Sequence, residues 1–281
     1  MNEYVTKFKG LPRSHLAYAE AILRRLMPNQ IKFHGPYTSF ETAQAHSRGY
    51  SDSAILEKVY EATLAVLDQK NGYERDGQFI NEPYQPDSLF DIIQDYASIA
   101  KKPVRVLDIG GALGTSYFKF RPLIHTNISL RWDVVEQLHF AELGQQRFQR
   151  EELSFYSSMD DKRLSDKYDL ILINSALQYI SSANDIINAL MRKNADQILI
   201  WKSPISQSEK HRIFRQSVPA YIYEASYPLW VFSLDRLLEQ FTPNYQMSDI
   251  EFSNVGWFLN GFHKPFTFCN ITLRKADDSQ G

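Results

Sequence analysis

From residue 104 onward, short β-branched runs alternate with segments of helical spacing, and no other feature restricts the fold as tightly. The runs cover 104–109, 131–136, 153–157, 169–174 and 197–202, with helical stretches such as 138–150 and 184–192 between them. Strands that alternate with helices pair in parallel through right-handed crossovers, because only that hand packs the helix back onto a twisted sheet. The pattern predicts a doubly wound α/β fold. Its crossover at 160–165 is short and carries the weakest helix signal. A helix over 233–241, which Ser233 can cap, precedes two strands near 245–252 and 266–274. Gly256 and Asn260-Gly261 lie between them and suit an antiparallel hairpin with a long connection.

The first hundred residues carry a helical period instead. One helix is expected over 15–26, and Thr38 with Glu41 has the spacing of a capping box. Asp52 or Ser53 opens another, whose Ile55, Leu56, Val59, Tyr60, Thr63, Val66 and Leu67 share a face. Asp87 opens a third, with Leu89, Phe90, Ile92, Ile93, Tyr96 and Ile99 as its apolar stripe. Residues 71–86, polar and marked by Gly and Pro, read as loop. The expected organisation is a helical N-terminal extension or lid over 1–100, a core over 101–275 and a polar tail at 276–281.

Several function classes drop out. With 31 basic against 33 acidic residues the net charge is −2, too balanced to draw the protein onto nucleic acid or acidic lipid. Cys269 is the single cysteine, so no intramolecular disulfide forms. No apolar run approaches the roughly 20 residues of a membrane-spanning helix, and none near the start reads as a signal peptide. A cytoplasmic protein is expected. The seven histidines are scattered and no His-Glu-x-x-His occurs, so no metal site is expected. The Gly-x-x-x-x-Gly-Lys phosphate loop and the Gly-x-Ser-x-Gly nucleophile elbow are also missing.

The most informative segment is Val104-Arg105-Val106-Leu107-Asp108-Ile109-Gly110-Gly111-Ala112-Leu113-Gly114-Thr115. A buried strand enters a glycine-rich turn and then a helix, the arrangement that brings backbone close to a nucleotide. Glu136, at the end of the next strand, is spaced to accept two hydrogen bonds from a ribose diol. Asp108 decides between nucleotides. A carboxylate there repels a pyrophosphate but suits a cofactor with an ammonium and a sulfonium. S-adenosylmethionine is therefore favoured over NAD; a tight turn that binds nothing is the alternative.

On these residues the chain resembles the class I methyltransferases. It is also similar to a bacterial methyltransferase family often encoded among surface-polysaccharide genes. The matching stretches are 33–40, Tyr73-Glu74-Arg75-Asp76, 108–118, 134–140, Ser175-Ala176-Leu177-Gln178-Tyr179 and 218–233. The resemblance implies a seven-stranded, mostly parallel sheet with its last strand antiparallel. It implies that Asp108, Gly110, Gly111 and Gly114 line the methionine and ribose and that Glu136 takes the ribose hydroxyls. Gln137 or Leu138 would cover the adenine, Ser158 and Met159 would reach its edge, and Asn174 and Ser175 would lie under the cofactor. Ala112 departs from the family's middle glycine.

Methyl transfer needs an acceptor aligned with the S–CH₃ bond, and a hydroxyl acceptor also needs a base. His139 is the preferred base, or else it caps or packs its helix. The long insertion 203–232 is expected to be a lid. Its Arg215, Tyr223, Tyr227 and Trp230, with Lys210, His211 and Arg212, would stack on a sugar and grip a phosphate of a nucleotide-sugar or glycan acceptor. Otherwise it is a loop packed by its own aromatics. Arg75 pairs either with the cofactor carboxylate or in a surface ion pair. The expected activity is O-methylation of a sugar or sugar conjugate. The rivals are a catalytically silent partner subunit and a nicotinamide-dependent oxidoreductase. Oligomeric state has no signal in the sequence.

Overall fold

The computed structural model describes residues 19, 21–23, 30–47, 52–69, 71–99, 102–219, 225–252, 257–258 and 265–276. In chain order they form β1 (Lys32–Tyr37), α1 (Phe40–Ala45), α2 (Asp52–Gln69), β2 (Tyr73–Arg75), β3 (Gln78–Ile80) and α3 (Ser88–Ile99). Next come β4 (Val104–Ile109), α4 (Thr115–Phe120), β5 (Leu130–Val135), α5 (Leu138–Arg147), β6 (Leu153–Tyr156) and β7 (Leu170–Asn174). After a 3-10 turn at Leu177–Tyr179 follow α6 (Ala183–Arg192), β8 (Gln197–Ser206), β9 (Arg212–Val218) and β10 (Ala225–Ser233). The last three are α7 (Leu234–Glu239), β11 (Tyr245–Phe252) and β12 (Phe266–Lys275). Two compact units result, one of 51–173 with 192–196 and one of 1–50, 174–191 and 197–281.

The first of these, the glycine-turn unit, holds parallel strands in the order β7-β4-β5-β6. Val104 to Ile109 pair in step with Leu130 to Val135, which sets the carboxyl ends of β4 and β5 side by side. Apart from Arg105 and Arg131, both strands are buried throughout, as parallel strands covered on both faces must be. Helix α3 buries Leu89, Phe90, Ile93 and Ala97, and Asp87 caps it by accepting from the Phe90 N–H at 3.1 Å.

Two expectations fail in this unit. Residues 71–86 contain the hairpin β2–β3, closed by Asp76 and Gly77 at φ +53° and +73°. Such a pair is the left-handed corner that matches the twist of a two-residue hairpin. The weak crossover at 160–165 forms turns and no helix. Ser158 Oγ accepts from Asp160 N–H at 3.1 Å and Asp161 Oδ1 from Arg163 N–H at 2.9 Å, bonds that compete with a helical ladder.

The C-terminal unit is built around β8. Strand β12 lies antiparallel to it and carries β11, also antiparallel. Strand β10 joins β8 in parallel only at Phe232 and Ser233, then pairs antiparallel with β9, and β9 with β1. The expected lid over 203–232 is thus largely strand. Pro228 hid the pattern, yet it is tolerated because β8 bonds β10 only beyond it, leaving that edge without a ladder to break. Strands therefore exceed the seven expected, and the N-terminal hundred residues hold strands as well as helices.

Ends of elements also moved. Ser39, not Thr38, caps α1 by accepting from Thr42 N–H at 3.1 Å. Of the helix expected over 15–26, residues 19 and 21–23 are described and are helical. Among the described residues no helix is long and apolar enough to cross a membrane.

Candidate cofactor site

Asp108 is the penultimate residue of β4 and is 1% exposed. Trp132, on β5, donates its indole N–H to Asp108 Oδ2 at 3.1 Å, while Oδ1 has no hydrogen-bond partner. Burial pushes the carboxyl up to about 7, the neighbouring Glu136 pushes the same way, and the indole and Lys119 oppose them. An ionised carboxylate here is undersolvated, and a cation brought to it would recover what desolvation removed.

The turn that follows leaves room at this carboxylate. A Cβ on Gly111 would stand 2.6 Å from Asp108 Cγ, so only glycine passes there. Gly110 donates its N–H to Val135 O at 2.9 Å, tying the turn to β5. Ala112 takes a left-handed φ of +50°, so the turn follows the path of a glycine despite the methyl group. Gly114, at φ +90°, starts α4.

Glu136 follows β5 directly and is half-buried. Its carboxylate accepts from Ala112 N–H at 3.3 Å and from Gln137 N–H at 2.8 Å, which fixes it beside the turn. A carboxylate has about four acceptor sites, so capacity for hydroxyl donors is left. Burial raises its pKa against those two bonds and the attraction of His139.

The structure brings Asp108, Gly110, Gly111, Gly114 and Glu136 together at the adjacent ends of β4 and β5. Gln137 is exposed at the start of α5, and the adjacent Leu138 is 60% exposed. His139, the candidate base, is half-buried with its Nε2 unpartnered and its ring 5.0 Å from that of Phe140. Ser158 is exposed and Met159 buried, both after β6.

Sequence reasoning missed Trp132 and Glu74. Glu74, on β2, is 7% exposed; it accepts from the Thr115 hydroxyl and from Gly77 N–H, the latter at 2.7 Å. It thereby holds the first residue of α4. Lys119, one turn on, lies over the rings of Tyr73 and Tyr84 at 5.4 and 5.3 Å. The Asp-Gly pair after Tyr73-Glu74-Arg75 was the available signal. Arg75 itself is exposed.

The other predicted residues belong to the C-terminal unit. Asn174 has a buried, unpartnered Oδ1, and Ser175 takes a left-handed φ of +59°. Arg215, on β9, donates to His46 O at 2.5 Å. Tyr227 packs edge-on against Tyr179, whose hydroxyl donates to Gln216 Oε1 at 3.2 Å. Trp230 gives its N–H to Ile180 O at 3.1 Å and lies near Phe40. Tyr223 lies outside the described residues. A shallow depression of about 390 Å³ is lined by Lys210, His211, Arg236, Glu239 and Gln240, with none of the glycine-turn residues.

No protein-family model matches the chain, and no curated protein does. Solved structures to which the chain is similar include the S-adenosylmethionine-bound amino pentose methyltransferase CalS10 from Micromonospora echinaspora, at 13% identity over 66% of this chain and 88% of that one, TM-score 0.42. Another is the N-terminal domain of EvdMO1 with S-adenosylhomocysteine and D-fucose, at 13% identity, 82% and 98% coverage and TM-score 0.47. A third is the 1,6-didemethyltoxoflavin-N1-methyltransferase of Burkholderia thailandensis, at 13% identity, 86% and 93% coverage and TM-score 0.42.

Proposed function

We propose that this chain is an S-adenosylmethionine-dependent methyltransferase acting on a small acceptor. The observation that carries the reading is the pair of carboxylates at the adjacent ends of β4 and β5. One is buried with an unpartnered oxygen; the other is fixed by two backbone N–H groups beside a left-handed turn. Phosphates are repelled by such a rim, whereas an ammonium and a ribose diol match it. When bound, the cofactor supplies a methyl group on positively charged sulfur.

The chain's own residues bind, orient and move a proton. Asp108 faces the cationic end, the backbone of Gly110, Gly111 and Gly114 gives close approach, and Glu136 accepts the ribose hydroxyls. Gln137 or the exposed Leu138 covers the adenine, with Ser158 and Met159 at its edge; Asn174 and Ser175 are assigned from the family resemblance. His139 takes the acceptor's proton. Arg215, Tyr223, Tyr227 and Trp230 bind the acceptor, which we read as a sugar or sugar conjugate of surface-polysaccharide synthesis. In this reading β4 to β8 with β11 and β12 are the seven strands of a class I methyltransferase over 101–275, and 1–100 is an extension to it.

Calorimetric titration with S-adenosylmethionine, S-adenosylhomocysteine and NAD tests the assignment. Saturable binding of the two adenosyl compounds and none of NAD is expected; binding of NAD in preference would overturn it.

A further inference from the structure

Strand β8 contains one residue that does not belong in a regular ladder. Cys269 pairs with Ser203 and Ile271 with Ile200, so Trp201 and Lys202 together oppose Asn270 alone. This is a β-bulge, a device that redirects a side chain. Lys202 takes a left-handed φ of +51°. It is the single exposed residue in a ten-residue strand that is otherwise buried, apart from the half-buried Gln197.

The conformation is held from both sides of the peptide. Lys202 N–H donates to Asn270 Oδ1 at 3.0 Å, and Asn270 Nδ2 donates to Glu251 Oε2 at 3.3 Å, which fixes the amide's orientation. Lys202 O accepts from Gln178 Nε2 at 3.3 Å. Gln178 is fully buried, and its Oε1 accepts from Ser203 Oγ at 3.4 Å. The same Nε2 reaches Ser175 Oγ at 3.5 Å, so one amide spans two left-handed residues, Ser175 and Lys202. A non-glycine residue costs about 1 kcal/mol or more in that conformation and persists where its surroundings over-determine it. The amides of Asn270 and Gln178 do so here, and no side-chain partner of the Lys202 ammonium occurs among the described residues.

We infer that Lys202 anchors an anionic group of a small molecule, a phosphate or a carboxylate, with Gln178 as the positioning residue for its backbone. The inference goes beyond the proposed function and stands independently of it. Charge and a fixed backbone are both present: Lys202 is exposed in a strand otherwise buried but for the half-buried Gln197, and its carbonyl shares the Gln178 amide with the Ser175 hydroxyl.

Uridine diphosphate, glucuronate and glucose serve as probes of diphosphate, carboxylate and neutral chemistry, each titrated calorimetrically into the full chain. Binding of an anionic probe and not of glucose is expected. Lys202→Met should weaken that binding about tenfold or more, as loss of one partner in a charged contact does. Lys202→Arg should retain most of it. Lys202→Gly removes the charge and suits the left-handed backbone, so it covers the case in which the Met variant fails to fold. Gln178→Ala should weaken binding with the charge still present. Equal binding of the anionic probe by Lys202→Gly, or no binding of either anion by the wild type, would overturn the inference. S-adenosylmethionine is titrated into the same samples. Its failure to bind the wild type would sink the methyltransferase reading, while the anion result would still decide on Lys202.

Discussion

Asp108 and Gly111 depend on each other at the scale of single atoms. A carboxylate without room beside it could meet no ligand, and the missing Cβ provides that room. This part of the candidate site was legible in the sequence, because Asp108, the glycines and Glu136 all fall within one β-turn-α-β stretch. Trp132 was not legible: an indole N–H aimed at a carboxylate 24 positions earlier follows from strand register, which residue types alone do not reveal. His139 holds the sharpest prediction at this scale. If its unpartnered Nε2 takes the acceptor proton, His139→Ala should lower kcat by about 10²- to 10⁴-fold, with the cofactor Kd little changed. Steady-state kinetics beside a cofactor titration reads both. Full turnover in the variant would assign the ring to packing against Phe140.

At the scale of elements, local patterns fixed by period were readable and those fixed by pairing were not. Strand β4 fell on its predicted limits because its apolar residues, broken only by Arg105 and Asp108, lie between Pro103 and the glycine turn. Strands β9 and β10 were missed because Arg215, Gln216 and Pro228 interrupt the alternation, and antiparallel partnership overrides that weak local preference. The β2–β3 hairpin carried a readable Asp-Gly signal that its polar surroundings masked. Its role was beyond reach, since Glu74 meets Thr115 across 41 positions. Glu74→Ala should strip partners from the Thr115 hydroxyl and the Gly77 N–H. A loss of about 1–3 kcal/mol in denaturant unfolding is expected, with Glu74→Gln recovering most of it. Equal stability of all three proteins would show that the hairpin is not tied to α4 through this residue.

Across the whole molecule the two units should respond to pH with opposite signs. In the glycine-turn unit, burial raises Glu74, Asp108, Asp133 and Glu136 above their ordinary values. Groups raised on folding contribute stability that is present below the unfolded value and is lost as pH climbs through the folded one. For Asp108 the window runs from 3.8 to about 7, with a ceiling of about 4 kcal/mol. In the C-terminal unit, burial foremost and then Arg236 lower His211, which accepts from Ser233 N–H through Nδ1. That contribution is present above 6.5 and is lost as pH falls through the lowered value. Amide hydrogen exchange, corrected for intrinsic rates, should show β4 and β5 opening more readily near pH 8 and the start of α7 near pH 5. Asp108→Asn should flatten the first dependence. A common sign in both units would contradict the burial of these groups.

The extra residue in β8 has a consequence for insertions and deletions. Removing a single amino acid at 201 or 202 would let the strand run in step with β12, and the mended sheet would be the more regular object. What it would lose is its outlet at Lys202. The chain keeps one residue more than its hydrogen-bond ladder can use, and the surplus is where β8, beyond its half-buried first residue, meets water.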